Sequence, residues 1–125
     1  MSKTALIVDD SRTMRQMVAF TLTNAGFTVI EAEDGKDAVN KVKAAGQVKL
    51  DIVVTDLNMP EMDGITLIKE LRKLSTFKFT PILMLTTEAA MEKKQEGKEA
   101  GATGWIVKPF NPEVLLKTIA KVLPA

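Results

Sequence analysis

The chain has 125 residues, a hydrophobic content of 46%, a charged content of 26% and a net charge of +1. These values are typical of one globular domain and lack the basic excess of a nucleic-acid-binding protein. Cysteine and histidine are both absent, which excludes disulfides, thiol catalysis, imidazole general bases and zinc sites that use these residues. With no signal-peptide pattern and no apolar stretch of membrane-spanning length, we expect a cytoplasmic protein that makes no membrane contact.

Short apolar runs alternate along the chain with segments whose apolar residues recur at helical spacing. In chain order, strands are predicted at 5–8, 27–30, 50–54, 82–85 and 103–107, and the helices that follow them at 12–25, 36–45, 64–74, 89–100 and 112–123. Ser11 or Asp10 is the expected N-cap of the first helix. Strands that alternate with helices favour an α/β fold with a parallel sheet and right-handed crossovers. No repeat or linker interrupts the pattern, so residues 1–125 are predicted to form one domain.

The fourth helix, predicted from Ala89 to Ala100, differs from the others. Its apolar stripe is thin, and Gly97 lies inside it. Glycine in a helix interior costs about 1 kcal/mol relative to alanine. We therefore expect this helix to be the least firmly packed and the readiest to move.

The third apolar run, residues 50–54, is rich in β-branched side chains and shows no polar alternation. This pattern is typical of a central parallel strand that is buried on both faces. The run ends at Asp56, which places this carboxylate at the carboxyl edge of the sheet, where open α/β sheets bind their ligands. The alternative is that Asp56 only caps or turns the chain, the commoner role of an aspartate close to Asn58 and Pro60.

Other strand ends also carry polar side chains. The first strand ends in Asp9 and Asp10, the fourth in Thr86 and the fifth in Lys108. Because the carboxyl ends of parallel strands share one edge, we expect these side chains to converge on Asp56. Neighbouring carboxylates repel unless a cation lies between them, and an all-oxygen ligand set suits Mg²⁺. In the alternative hypothesis Lys108 simply neutralises the aspartates, which leaves excess negative charge and no role for Thr86.

The same residue types can support phosphoryl transfer. Asp56 supplies an oxygen nucleophile, and a metal ion together with Lys108 balances the charge of the transition state. The Thr86 hydroxyl can donate to a phosphoryl oxygen. Asp9 and Asp10 stand where a glycine- or hydroxyl-rich phosphate cradle would follow the first strand, which argues against flavin or nucleotide binding.

These motifs resemble the receiver domain of two-component response regulators along the whole chain, most closely the single-domain receivers of chemotaxis. The segments that carry the resemblance are IVDDSRTMRQMV, VVTDLNMPEMDG, LMLTTEA and GWIVKPF. The resemblance implies a flavodoxin-like sheet with strand order 2-1-3-4-5, an order taken from the family. It also implies a signalling protein that is not an enzyme and assists only its own phosphorylation and dephosphorylation.

The resemblance implies a role for the residues at the phosphorylation site. Asp56 would be the phosphoacceptor, Lys108 the cation that pairs with the phosphoryl group and Thr86 the switch hydroxyl. The peptide bond between Lys108 and Pro109 would be cis.

The resemblance also implies a metal site and a pair of residues that set the lifetime of the phosphoryl group. Asp9, Asp10, Asp56 and the backbone carbonyl of Asn58 would hold Mg²⁺, with Asp10 as a direct ligand. Asn58 and Glu88 would tune dephosphorylation by governing the access of water.

Trp105 is a departure from the family, because the switch aromatic on the fifth strand is usually tyrosine or phenylalanine. An indole is larger and its nitrogen only donates. Two interpretations stay open: a side chain that moves with Thr86 on activation, or a half-buried ring that covers the edge of the sheet.

The resemblance implies a monomeric receiver that binds other proteins. Besides the two partners named next, a phosphatase that removes the phosphoryl group would be a third partner. A sensor histidine kinase of the chemotaxis type would phosphorylate it, and an output protein, preferably the flagellar switch, would bind it. The candidate surface combines the fourth helix, the strand of Trp105 and the last helix, with Lys117 or Lys121 at its rim. The alternatives are a phosphate sink, a phosphorelay intermediate, or an aspartyl-phosphate phosphatase. If this chain were itself an aspartyl-phosphate phosphatase, it would need a second aspartate at position 58, where it has Asn58.

Overall fold

In the computed structural model, which describes residues 3–44, 49–87 and 91–123, strands and helices alternate along the chain. The strands are β1 (Thr4–Val8), β2 (Thr28–Ala32), β3 (Ile52–Thr55), β4 (Ile82–Thr86) and β5 (Gly104–Val107). The helices are α1 (Arg12–Asn24), α2 (Gly35–Ala44), α3 (Gly64–Lys73), α4 (Met91–Ala100) and α5 (Pro112–Val122). A short 3₁₀ helix, Ser75–Phe77, lies in the connection that the sequence predicts as a loop.

The strands form a parallel sheet in the order β2-β1-β3-β4-β5, which confirms the α/β class and the strand order. Every residue of β3 and of β4 is buried. The uninterrupted apolar run of β3 is thus explained by its central place in the sheet. The edge strands β2 and β5 are less buried.

Apolar cores cover both faces of the sheet because successive strand residues point to opposite sides. Val53 joins the core with α2 and α3, whereas Val54 joins the core with α1 and α5. The helices fill these cores with their apolar stripes, for example through Leu67, Ile68 and Leu71 on one side and Val18, Leu22, Leu115 and Ile119 on the other. Met17 of α1 and Val114 of α5 are each 51% exposed because they lie beside the buried lines of these helices.

Side-chain caps fix the helix starts next to the carboxyl edge of the sheet. Of the two predicted caps for α1, Ser11 is the one that forms, and its hydroxyl accepts from the Met14 N–H at 3.3 Å. Asn111 caps α5 and is followed by Pro112 at the first helical position, where a missing N–H costs nothing. These caps begin the helices directly after the strand ends.

α4 is the least buried of the helices in the described ranges, as its thin apolar stripe predicts. Gly97 is the buried residue of Met91–Ala100, and Met91 is 79% exposed. The start predicted at Ala89 lies outside the described residues. None of the described helices is long and apolar enough to cross a membrane.

Candidate functional site

The carboxyl edge of the sheet brings together the acidic residues that follow β1 and β3. Asp9, Asp10 and Asp56 each offer a carboxylate oxygen, and these oxygens lie within 4.8 Å of one another. Asp9 and Asp56 are buried, whereas Asp10 is exposed to solvent. The parallel topology therefore produces a cluster of oxygen ligands that opens to solvent on the side of Asp10.

The loop after β3 holds Asp56 through backbone contacts. The Leu57 N–H donates to Asp56 Oδ1 at 2.7 Å, and the Asp56 N–H donates to the carbonyl of Val8 at 2.9 Å. The loop closes where the Gly64 N–H donates to the Leu57 carbonyl at 2.8 Å. A Cβ at Gly64 would collide with the backbone oxygen of Asp56, so this turn requires glycine.

Hydrogen bonds engage every polar group of Asp9. Its N–H donates to Ala32 at 3.1 Å and its carbonyl accepts from Arg15 Nη1 at 2.7 Å. Its carboxylate accepts from the Ser11 N–H at 2.8 Å and from Lys108 Nζ at 2.8 Å. Burial raises the pKa of Asp9 above its ordinary value, and the hydrogen bonds from Lys108 and Ser11 oppose that rise. The hydrogen bonds from Ser11 and Lys108 therefore hold the Asp9 carboxylate in one orientation, although burial removes part of its hydration.

Lys108 lies between the two buried carboxylates. Its Nζ is 2.8 Å from Asp9 Oδ2 and 3.4 Å from Asp56 Oδ2. The salt bridge of the alternative hypothesis is therefore present, but it joins Lys108 to two carboxylates of a cluster of three. The remaining negative charge favours a further cation. The peptide bond that joins Lys108 to Pro109 is cis.

Thr86 and Trp105 lie on the neighbouring strands β4 and β5. Thr86 is buried at the end of β4 and pairs in register with Val107, while Trp105 pairs with Met84. Trp105 is half-buried and packs against the core on the α2–α3 side. Its position is compatible with both interpretations of this residue, so its movement on activation stays a prediction.

The residues predicted to tune dephosphorylation remain untested. Asn58 is exposed in the loop two positions after Asp56. Glu88 lies outside the described residues.

Sequence reasoning missed Arg15. Besides binding the Asp9 carbonyl, its Nε lies 3.2 Å from Glu31 Oε1, which ties α1 to the end of β2. A signal was available, because Arg12 and Arg15 both lie in the first turn of α1, where positive charge opposes the helix dipole. A basic residue in this unfavourable place indicates a specific partner.

Comparisons with known proteins show which sequences and structures this chain is similar to. The sequence model of one protein family, the response regulator receiver domain, matches residues 5–120 of this chain. Chemotaxis protein CheY1 of Helicobacter pylori is 44% identical to this chain over 119 residues, and the match covers 94% of each chain. The chemotaxis protein CheY homolog of Campylobacter jejuni is 41% identical over 119 residues, and that match covers 94% of this chain and 90% of the relative. The structure of chemotaxis protein CheY4 of Vibrio cholerae has a TM-score of 0.92 and 53% identity, and the match covers 98% of this chain and 100% of that one.

Proposed function

Because this chain belongs to the family of response regulator receiver domains, we propose that it is a response regulator phosphorylated on Asp56. The observation that carries the proposal is the cluster of Asp9, Asp10 and Asp56 within 4.8 Å, with Lys108 3.4 Å from Asp56. A buried nucleophile beside an ammonium and open to solvent on one side is suited to receive a phosphoryl group.

The contacts of Asp56 favour one of its two oxygens as the nucleophile. Oδ1 accepts the Leu57 N–H at 2.7 Å, whereas Oδ2 faces Lys108 at 3.4 Å. Attack by Oδ2 on phosphorus forms an acyl phosphate, and the bond to the donor breaks, with its electrons leaving on the donor group. Lys108 would then pair with one phosphoryl oxygen, and the Thr86 hydroxyl at the end of β4 would donate to another.

The donor set at this edge fits Mg²⁺, which prefers oxygen ligands. Asp9, Asp10 and Asp56 would hold the ion, with the backbone carbonyl of Asn58 as a further ligand. The bound ion would supply positive charge to balance the phosphoryl oxygens. The chain prepares the site itself, because Ser11 and Arg15 fix Asp9 through its carboxylate and its carbonyl.

Replacing the proposed acceptor tests this function. With a small-molecule phosphodonor and Mg²⁺, the parent protein should gain one hydroxylamine-sensitive phosphoryl group per chain, and Asp56→Asn should gain none, because an amide oxygen is a poor nucleophile. Glu61→Gln, an exposed change in the same loop, is the matched control and should label fully. Full labelling of Asp56→Asn at another carboxylate would refute the assignment. Continuous turnover of a phosphomonoester, in place of stoichiometric labelling, would indicate an enzyme.

We further propose that a sensor histidine kinase supplies the phosphoryl group and that a chemotaxis output protein at the flagellar switch responds to it. The relatives from Helicobacter, Campylobacter and Vibrio all carry chemotaxis names. The candidate partner face is built from α4, β5 and α5, and it exposes apolar side chains at Met91, Val107 and Val114 as well as Lys117 and Lys121.

Binding measurements can test the partner face. A flagellar switch protein should bind more tightly when Mg²⁺ and beryllofluoride, a phosphoryl mimic, are added. Val114→Asp should weaken that binding because it places a charge on the exposed apolar face. Phe20→Asp, a comparable exposed position on α1, is the control, and equal effects of the two changes would locate the interface elsewhere.

A further inference from the structure

The first turn of α2 packs directly on the β3–α3 loop, residues 56–63. Gly35, the first residue of α2, is buried, and its N–H donates to the Met62 carbonyl at 3.3 Å. The first N–H groups of a helix have no partner inside the helix, so the loop supplies one of the missing acceptors. The Asp34 carboxylate supplies another, since it accepts from the Asp37 N–H at 2.8 Å.

This contact leaves no room for a side chain at Gly35. A Cβ built there would lie 2.7 Å from the Met62 carbonyl oxygen and 2.8 Å from both Cβ and Cγ of Met62. Gly35 does not have a positive φ, so alanine could adopt its backbone conformation and would favour the helix. The requirement for glycine therefore comes from the neighbouring loop and not from α2 itself.

Met62 is also held from the side away from α2. Its N–H donates to the Pro60 carbonyl at 2.7 Å, and its half-buried side chain packs against the core on the α2–α3 side. The residue before it, Glu61, already has a φ of +68°. The Met62 carbonyl could therefore move away from a new Cβ only if the loop moved with it.

The β3–α3 loop carries two residues of the proposed metal site. Asp56 begins the loop, and Asn58 follows two positions later. The far end is closed by the hydrogen bond from the Gly64 N–H to the Leu57 carbonyl at 2.8 Å. A displacement at Met62 would thus move the segment from which the Asn58 carbonyl is expected to reach the metal ion.

We propose that Gly35 is a positioning residue for the metal site. Because it has no side chain, the first turn of α2 can hold the Met62 carbonyl and keep the β3–α3 loop where Asn58 can bind Mg²⁺. The effect on Mg²⁺ rests on the function proposed above, whereas the seating of the loop on Gly35 is a property of the metal-free protein.

Hydrogen exchange without metal tests the seating. Gly35→Ala should speed the exchange of the Gly64 amide relative to the β3 amides, because a displaced loop loosens its closing hydrogen bond. Val42→Ala, a buried change in the same helix, is the matched control. It should destabilise the fold without changing this ratio of exchange rates. An unchanged ratio in Gly35→Ala would overturn the seating.

Calorimetric titration with Mg²⁺ tests the positioning role. Gly35→Ala should weaken Mg²⁺ binding by about 10-fold, the low end of the loss that follows a change in an outer-shell partner of a metal. Val42→Ala lies about two turns further along α2 and should retain the affinity of the parent although it lowers the melting temperature. An affinity that falls with stability in both variants would leave Gly35 a purely structural role and overturn the proposal.

A second change, at Met62, tests whether the contact itself carries the effect. Met62→Gly removes the two side-chain carbons that a new Cβ would meet, and a glycine backbone lets the carbonyl turn aside. In this background Gly35→Ala should cost little further Mg²⁺ affinity. If Gly35→Ala folds only together with Met62→Gly, the same contact is responsible. Equal losses of affinity in the two backgrounds would overturn the proposal.

Labelling with a small-molecule phosphodonor separates this proposal from the function on which it rests. Gly35→Ala should label slowly at limiting Mg²⁺ and approach the parent rate at saturating Mg²⁺. If the parent binds no Mg²⁺, the proposed metal site fails and the positioning role fails with it, while the exchange of Gly64 still decides the seating. If the parent binds Mg²⁺ and is labelled on Asp56, but Gly35→Ala binds Mg²⁺ equally well, the proposed function stands and the role of Gly35 is overturned.

Discussion

At the scale of single residues, the loop that carries Asp56 into α3 contains local strain. Glu61 has a φ of +68°, the left-handed region that side chains other than glycine and asparagine rarely adopt. Two backbone hydrogen bonds hold Glu61 in this conformation. The Met62 N–H donates to the Pro60 carbonyl at 2.7 Å, and the Gly64 N–H donates to the Leu57 carbonyl. The loop is therefore held in this conformation by contacts on both sides of Glu61.

Glu61→Asn should stabilise the protein, because asparagine tolerates a positive φ better than glutamate does. We expect the free energy of unfolding to rise by about 1 kcal/mol, the order of the left-handed penalty. Urea denaturation measures it. Glu61→Ala removes the same charge but retains a Cβ at positive φ, so it should give little gain. Equal gains from asparagine and alanine would attribute the effect to charge in place of strain.

The sequence was sufficient to predict which acids and which lysine meet at the site, because parallel topology brings strand ends to one edge whatever the details of packing. It was not sufficient to find Arg15, whose contact with the Asp9 carbonyl depends on the angle at which α1 leaves β1. It also could not show that Gly64 is required by the backbone of Asp56. Such contacts appear only when two elements are placed in space.

At the scale of secondary-structure elements, Arg72 of α3 anchors the C-terminal end of α4. Its Nη2 donates to the carbonyl of Gly101, just after α4, at 2.7 Å. Its Nη1 donates to Phe77 at 2.8 Å and to Thr80 at 2.6 Å, both in the connection before β4. Burial lowers the pKa of Arg72, yet a guanidinium remains charged at neutral pH. Its positive charge also complements the negative end of the α4 dipole.

Arg72→Met should loosen both segments that the guanidinium joins. We expect the free energy of unfolding to fall by roughly 2–3 kcal/mol, because several carbonyls lose a charged donor. Hydrogen exchange should become faster in α4 and in residues 77–80. Lys73→Met is the matched control, because the Lys73 side chain is 71% exposed and should be removable at little cost. Unchanged exchange in α4 after Arg72→Met would show that Arg72 does not anchor it.

Element types followed from sequence because short apolar runs and apolar residues at helical spacing are strong signals, but Gly97 shows the limit of that approach. The sequence correctly predicts α4 as the weakly packed helix. It treats Gly97 only as a cost to the helix, whereas the structure shows a packing requirement set by Trp105. Helical propensity describes one element alone, and this glycine is selected by contact between two.

At the scale of the whole molecule, the apolar cores fill both faces of the sheet and leave the charged residues at its carboxyl edge. Asp9, Asp10 and Asp56 form this cluster, in which the Lys108 ammonium pairs with Asp9 and Asp56. Two of these carboxylates are buried, so their repulsion is poorly screened by water. The metal-free fold therefore carries an electrostatic cost at the edge where ligands are expected to bind.

Mg²⁺ should relieve that cost and raise the stability of the whole fold. A ligand that binds only the native state stabilises it by about 2.7 kcal/mol when its concentration is 100 times Kd. Thermal unfolding across a Mg²⁺ titration measures this gain, and NaCl at matched ionic strength controls for screening.

Asp10→Ala should lose most of the gain because it removes an exposed ligand. Without metal it should be at least as stable as the parent, since one repelling carboxylate is gone. An undiminished gain in Asp10→Ala would show that Mg²⁺ acts elsewhere, and a marked loss of metal-free stability would contradict the repulsion itself.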